Sequence, residues 1–246
     1  MVDEVIARLE ALAADSGGRV ELAPPVSGEE ISSWTMRVPD DFRALLERTS
    51  GFTVGGHPHV FDFNLPDNHE PVVNEYWPLQ DESASWILHS DGSATTYYVD
   101  VDPESGAWGR VFSFWEEPYA RMVAPDVLTW VDNVVTGTRL ALETAQQGTD
   151  LRRAFSEWLY GAEGSLSRHP SDVVEPMPVV KARTSDDALV AEIASGLPDD
   201  AFLADLRTAG YPTEVPFARV VPAGEVVTYT RFHNGSFLAA ALVPDL

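Results

Sequence analysis

V-P-D-D-F-R-A-L-L-E-R-T-S-G-F, from Val38 to Phe52, reads as a short helix with both ends marked. Pro39 fixes φ near the entry, Asp40 and Asp41 place negative charge where the helix dipole favours it, and Gly51 stands as a left-handed stop. Between these marks Phe42, Leu45, Leu46 and Thr49 recur at i, i+3, i+4 and i+7, so one face is apolar while Arg43, Glu47 and Arg48 point to water. The stretch is a packing helix without catalytic groups, and its partners must lie on either side.

Toward the N-terminus two more helical segments precede it. Val2, Ile6, Leu9 and Ala13 repeat at helical spacing until Gly17-Gly18, and Ser27 with Glu30 forms a capping box for a short helix through about Trp34. Val20-Glu21-Leu22 lies between them as a short extended piece.

Beyond Phe52 the period changes from helical to alternating. His59 to Phe63 alternates, Pro71 to Leu79 is aromatic and extended, Trp86-Ile87-Leu88 is a short apolar run, and Asp91-Gly92 marks a turn. Thr95 to Val101 and Gly109 to Phe114 are rich in strand formers and flank a turn at Asp102 to Gly106. Ala124-Pro125-Asp126 then starts a long helix on which Val127, Leu128, Val131, Val134, Val135 and Leu142 can share a face. Helices, a mostly antiparallel sheet and a closing helix make the fold class α+β.

Residues 148–246 follow as a C-terminal accessory region with α/β character. Asp150 caps a helix with Leu151, Phe155, Trp158 and Leu159 on one face, and Gly161 to Ser185 reads as a linker or an irregular wrapping segment. Helical signals return at Asp186 to Ala194 and at Pro198 to Ala209. Phe217 to Val221, Glu225 to Phe232 and Phe237 to Val243 read as strands, the last two joined by a type I′ hairpin turn at Asn234-Gly235. This region is either a small domain of its own or docks on residues 1–147 as one unit.

Composition narrows the function. Among 246 residues, 39 acids stand against 16 bases, for a net charge of −23. The excess is concentrated in residues 1–150, at −18, against −5 for residues 151–246. Such a field repels nucleic acid and anionic membranes and attracts cationic partners; it also serves plain solubility. With no cysteine there is no disulfide, thiolate catalysis or cysteine-held metal. The acidic start M-V-D-E-V-I-A-R-L-E lacks the basic region of a secretory leader, so the expected location is cytoplasmic.

Enzyme signatures are weak. His57, His59, Asp62 and His69 hold the elements of a metal site, but the rigid Pro58 spacing favours an ordinary polar loop, and no metal or cofactor is expected. Glu116-Glu117 reads as solvated surface, Ser165, Ser167 and His169 lack a nucleophile-elbow context, and no phosphate-binding loop is present. The aromatics admit two readings. Trp77, Trp86, Trp108 and Trp115 either fill the core or form a binding patch ringed by Asp81, Glu82, Asp100, Asp102, Glu104, Glu116 and Glu117. The partner-facing set drawn from the second reading is Trp77, Asp81, Glu82, Tyr97, Asp100, Asp102, Trp115, Glu116 and Glu117; charge reversal at Glu116 and Glu117 should then slow association with a basic partner.

The order of these pieces resembles a known family. An early helix, the Pro39-Asp40-Asp41-Phe42-Arg43-Ala44-Leu45-Leu46 helix ending in Ser50-Gly51 and an extended Trp77-Pro78-Leu79 come first. The Asp91-Gly92 turn before Tyr97-Tyr98-Val99-Asp100, the Gly109-Arg110-Val111 strand and the Val127 to Val131 helix complete it. Over residues 1–145 this is similar to the Smi/Knr cell-wall-assembly-regulator family of the SUKH superfamily, with Ser50 in place of the usual Asn and Thr95-Thr96 in place of a Gly-Asp pair. The resemblance implies a sheet with packed helices and, in bacteria, an immunity protein that neutralises a toxin domain by binding it. A basic toxin, a nuclease being one candidate, suits the charge. The alternative it implies is a regulatory scaffold with a non-toxin partner.

Overall fold

The helix around Phe42 forms, but it is shorter than its apolar spacing suggests. In the chain's computed structural model, which describes residues 1–55, 60–64, 84–90, 95–102, 105–114, 118–166, 170, 172–223, 225 and 227–242, three helices lead. They are α1 (Val2–Asp15), α2 (Gly28–Ser33) and α3 (Asp40–Leu46), with strand β1 (Val20–Leu22) between the first two. Phe42, Leu45 and Leu46 are fully buried, as the spacing demands. Thr49 lies past the helix end, and its hydroxyl holds the turn by donating to the Ala23 carbonyl at 2.9 Å and accepting from the Gly51 N–H at 3.2 Å.

Gly51 is no helix stop; it opens strand β2 (Gly51–Val54), which pairs with β1 and with β3 (Val60–Asp62). Its φ is +151°, and a Cβ there would lie 1.9 Å from the Phe61 carbonyl oxygen, so the residue is glycine because the neighbouring strand leaves no room.

The second sheet is the floor of the molecule. β4 (Ala84–Ser90), β5 (Thr96–Val101), β6 (Trp108–Phe114) and β7 (Ala120–Ala124) run as an antiparallel meander. Alternation on β5 sends Tyr97, Val99 and Val101 to one face and Tyr98 to the other. On the first face lie α1, α3 and the long α4 (Val127–Gln146), whose Val127, Leu128, Val131, Val134, Val135 and Leu142 are all buried as expected. Asp126 caps α4 by accepting from the Thr129 N–H at 2.8 Å, and Asp150 caps α5 (Leu151–Trp158) in the same way at 3.1 Å.

The chain beyond residue 148 packs partly against the first region and partly on itself. Ala154, Phe155, Leu159 and Leu166 join the same apolar cluster as α1 and α4. Two short strands, β8 (Asp172–Val173) and β11 (Thr213–Val215), extend the large sheet to six in the order β4-β5-β6-β7-β11-β8. A further sheet, in the order β12-β13-β10-β9, packs on its open face; its members are β9 (Met177–Pro178), β10 (Phe202–Asp205), β12 (Val227–Phe232) and β13 (Phe237–Leu242). Its far side is covered by α6 (Val179–Ala182) and α7 (Ala188–Ser195) through Val179, Ala182, Val190, Ile193 and Phe237. Four layers result: helices, six strands, four strands, helices. The 147/148 boundary falls between α4 and α5, which share one apolar cluster, while α6 and α7 cover a cluster made only of later residues.

Several local expectations are corrected. Residues 202–205 are strand β10 and not part of a helix, because the edges of β9 and β13 capture their backbone groups. Phe217–Arg219 is a 3-10 turn and not a strand, while β7 and β11 arise where no strand was expected. The turn at Asn234-Gly235 forms, with φ of +55° and +74° and the Ser236 N–H donating to the His233 carbonyl at 3.1 Å. The α+β class with mostly antiparallel sheets holds.

Candidate functional site

Two of the residues expected on a partner-facing surface are interior. Tyr97 is fully buried among helix-side aromatics, and Asp100 is 4% exposed between the two sheets. Both sit on β5, a central strand covered on both faces, so neither can touch a partner. Asp102 is half-buried, and its Oδ1 accepts from the Ser105 N–H at 2.7 Å and the Ser105 hydroxyl at 2.8 Å, which sets the turn before β6. Trp77, Asp81, Glu82, Trp115, Glu116 and Glu117 lie outside the described residues, as do Glu104, His57, His59, His69 and the Asp91-Gly92 turn.

Asp100 has a structural partner instead. Arg231, on β12, faces the large sheet and places Nε 2.5 Å from Asp100 Oδ1, with both side chains almost wholly shielded. Burial pushes the Asp100 carboxyl up, against the pull of the Arg231 charge. Around this pair Tyr98 and Tyr229 are also buried, and burial holds both hydroxyls above their ordinary range. The pair joins the two sheets amid apolar and aromatic contacts, and Arg110 on β6 adds a second polar link by donating to the Ser236 hydroxyl at 2.7 Å.

An accessible concavity lies at the opposite side of the meander. A groove of ≈ 580 Å³ opens where the first turns of α1, α3 and α4 meet the turn entering β6. Phe42, Val127 and Leu128 form its floor, and Trp108, Ser105, Gly106 and Ala107 form a wall. The volume falls within the range of small-ligand sites. Its shape is held firmly: the Trp108 indole N–H donates to the Arg37 carbonyl at 3.0 Å, and the ring packs on Phe42 at 5.0 Å and on Trp86 at 5.1 Å between centroids. The Gly106 N–H donates to the Asp102 carbonyl at 2.8 Å, with Gly106 at φ +67° and the Arg37 stem lying across it. Of the two readings of the tryptophans, Trp86 belongs to the core and is fully buried, while Trp108 is half-buried at the groove.

Asp41 and Asp126 line the groove, and further acids stand on the helix starts whose Met1 and Pro39 also line it. Asp3 and Glu4 occupy the first turn of α1, Asp40 and Asp41 the first turn of α3, and all four are exposed. None of the four forms an ion pair among the described residues, whereas Arg8, Arg43, Arg48, Arg121, Arg183, Arg207, Arg219 and Arg231 are each bound to carboxylates elsewhere. Arg37 is a cationic side chain at the groove, exposed and turned along the wall. Sequence reasoning passed over this constellation. Its only local signals were acids at helix starts, read as dipole compensation, and nothing in the spacing of Phe42, Trp108 and Leu128 announces that they converge.

Among the described residues no three His, Asp or Glu side chains converge as a metal cluster, and no helix is long and apolar enough to cross a membrane. In comparisons with known proteins no family model matches the chain, and no curated protein or solved structure matches it either.

Proposed function

We propose that this chain is a non-catalytic protein-binding module of the Smi/Knr, SUKH type, acting in the cytoplasm as an immunity protein that captures a basic toxin domain. One observation carries the reading: among the described residues the exposed carboxylates of Asp3, Glu4, Asp40 and Asp41, on helix starts that contribute Met1, Pro39 and Asp41 to a preformed groove, form no ion pair, while eight arginines are spent on internal or local pairs. Excess unpaired charge of one sign speeds encounter with a partner of the other, and aromatic and aliphatic surface behind it supplies residence time. A negative face of this kind competes with the phosphate backbone for a cationic nuclease cleft.

The test is affinity capture from native cell lysate at low and high salt, with bound proteins identified by mass spectrometry. The expected result is a basic, toxin-like protein in near one-to-one amount that is lost as salt rises. Recovery of a salt-resistant, non-toxin partner favours the scaffold reading, and recovery of nothing at either salt overturns both.

A further inference from the structure

We infer that the groove between the starts of α1, α3 and α4 seats one apolar side chain of the partner, a leucine-sized anchor flanked on both sides by Lys or Arg. This rests on the protein-binding reading and names what that reading's surface takes.

The chemistry follows from the lining. Phe42, Val127 and Leu128 beneath, with Trp108 beside them, offer no charged group to an entering chain, so the inserted group must be apolar. Their positions are fixed by the core, since Phe42 is fully buried and Trp108 is locked by its hydrogen bond to Arg37, so the groove needs no rearrangement to accept a guest. Asp126 is already committed to capping α4, with Oδ1 accepting from the Thr129 N–H and Oδ2 from the Thr129 hydroxyl at 3.0 Å, and it adds negative potential rather than a free hand. Asp41 lines the mouth, and Asp40, Asp3 and Glu4 stand on the same two helix starts. A flanking cation meets one of these carboxylates on either side. An anionic ligand is disfavoured, because the three helix starts that would otherwise attract it carry five carboxylates against the Arg37 guanidinium and the Met1 α-ammonium. The groove's volume suits one large side chain and its backbone rather than a whole helix face.

The experiment uses the full chain labelled with ¹⁵N at tryptophan, titrated with three capped peptides: Gly-Lys-Lys-Leu-Lys-Lys-Gly, the same with Ala for Leu, and Gly-Glu-Glu-Leu-Glu-Glu-Gly. The basic leucine peptide is expected to shift the Trp108 indole resonance saturably. Substitution of its leucine by alanine should weaken binding by about tenfold or more, the loss expected from removing a buried aliphatic side chain. The acidic peptide should leave Trp108 unmoved. Ala107→Trp, at an exposed position of the wall, should abolish the shift, and the milder Asp40→Lys/Asp41→Lys pair should weaken it with the fold intact by circular dichroism. Equal binding of the acidic and basic peptides, a basic peptide that moves other indoles and not Trp108, or no binding of any peptide at millimolar concentration overturns the inference. Retention of a basic protein by Ala107→Trp in the lysate capture would overturn it while leaving the protein-binding reading standing.

Discussion

The two parts of the chain use their charges differently. Residues 1–150 carry −18 and, among the described residues, leave the carboxylates at the starts of α1 and α3 without ion pairs; residues 151–246 carry −5, and Arg183, Arg207 and Arg219 there are engaged with nearby acids. Arg207 binds Asp187 and Asp205, each at 2.6 Å, Arg183 binds Asp199 at 2.5 Å, and Arg219 binds Glu175. The first part therefore carries most of the negative field, while the second carries less and backs the large sheet with a smaller one. The chain is divided between a face for meeting a partner and a support that keeps that face in shape.

Breaking the support should produce the largest effect. Arg231→Met strands the Asp100 carboxylate between the sheets, and urea unfolding should show a loss of about 3–5 kcal/mol. Adding Asp100→Leu should recover most of it, because two apolar side chains can fill the same space without a charge to desolvate. A single Arg231→Met that unfolds like wild type would mean that the Asp100–Arg231 pair contributes nothing to holding the sheets together.

The same comparison has a pH signature. Asp205 is held below the usual carboxylate range chiefly by its hydrogen bonds from Arg207, so its contribution to stability is present at neutral pH and lost as pH falls through its folded-state value. Asp100 is raised by burial, so its contribution runs the other way: the folded state holds the proton more tightly, and stability falls as pH rises from about 3.9 through its own higher value. Carboxyl-carbon NMR titration should therefore give Asp205 a midpoint below, and Asp100 a midpoint above, that of an exposed aspartate. Coincident midpoints would contradict the assignment.

How much of this could be read from residue order depends on the distance over which each feature is decided. The α4 face was legible because Asp126 caps the helix and Val127, Val131, Val134 and Val135 repeat within it. Residues 202–205 were misread because Phe202, Leu203 and Ala204 accept either state, and the choice was made by β9 and β13, tens of residues away. Gly51 looked like a helix end until Phe61 came to lie beside it. The Asp100–Arg231 pair and the groove were invisible for the same reason: each joins side chains whose positions along the chain carry no common period.

Smaller effects sharpen the account. Asp126→Ala removes the α4 cap beneath the groove and should cost about 1 kcal/mol by thermal unfolding, with the Trp108 indole resonance displaced as the helix start loosens. Tyr229→Phe deletes a buried hydroxyl that has no hydrogen-bond partner among the described residues, and should be neutral or stabilise by up to about 1 kcal/mol.

The division of labour is tested most directly by repeating the lysate capture with two charge-reversed chains of equal charge change. One carries Lys at Asp3, Glu4, Asp40 and Asp41; the other carries Lys at Asp186, Glu192, Asp200 and Glu225, which are equally exposed but lie in the C-terminal part. The expected result is that the first chain loses the basic partner while the second retains it at near wild-type amount. Loss with the second chain alone, or equal retention by both, would contradict the claim that the acidic helix starts around the groove are where this protein meets its partner.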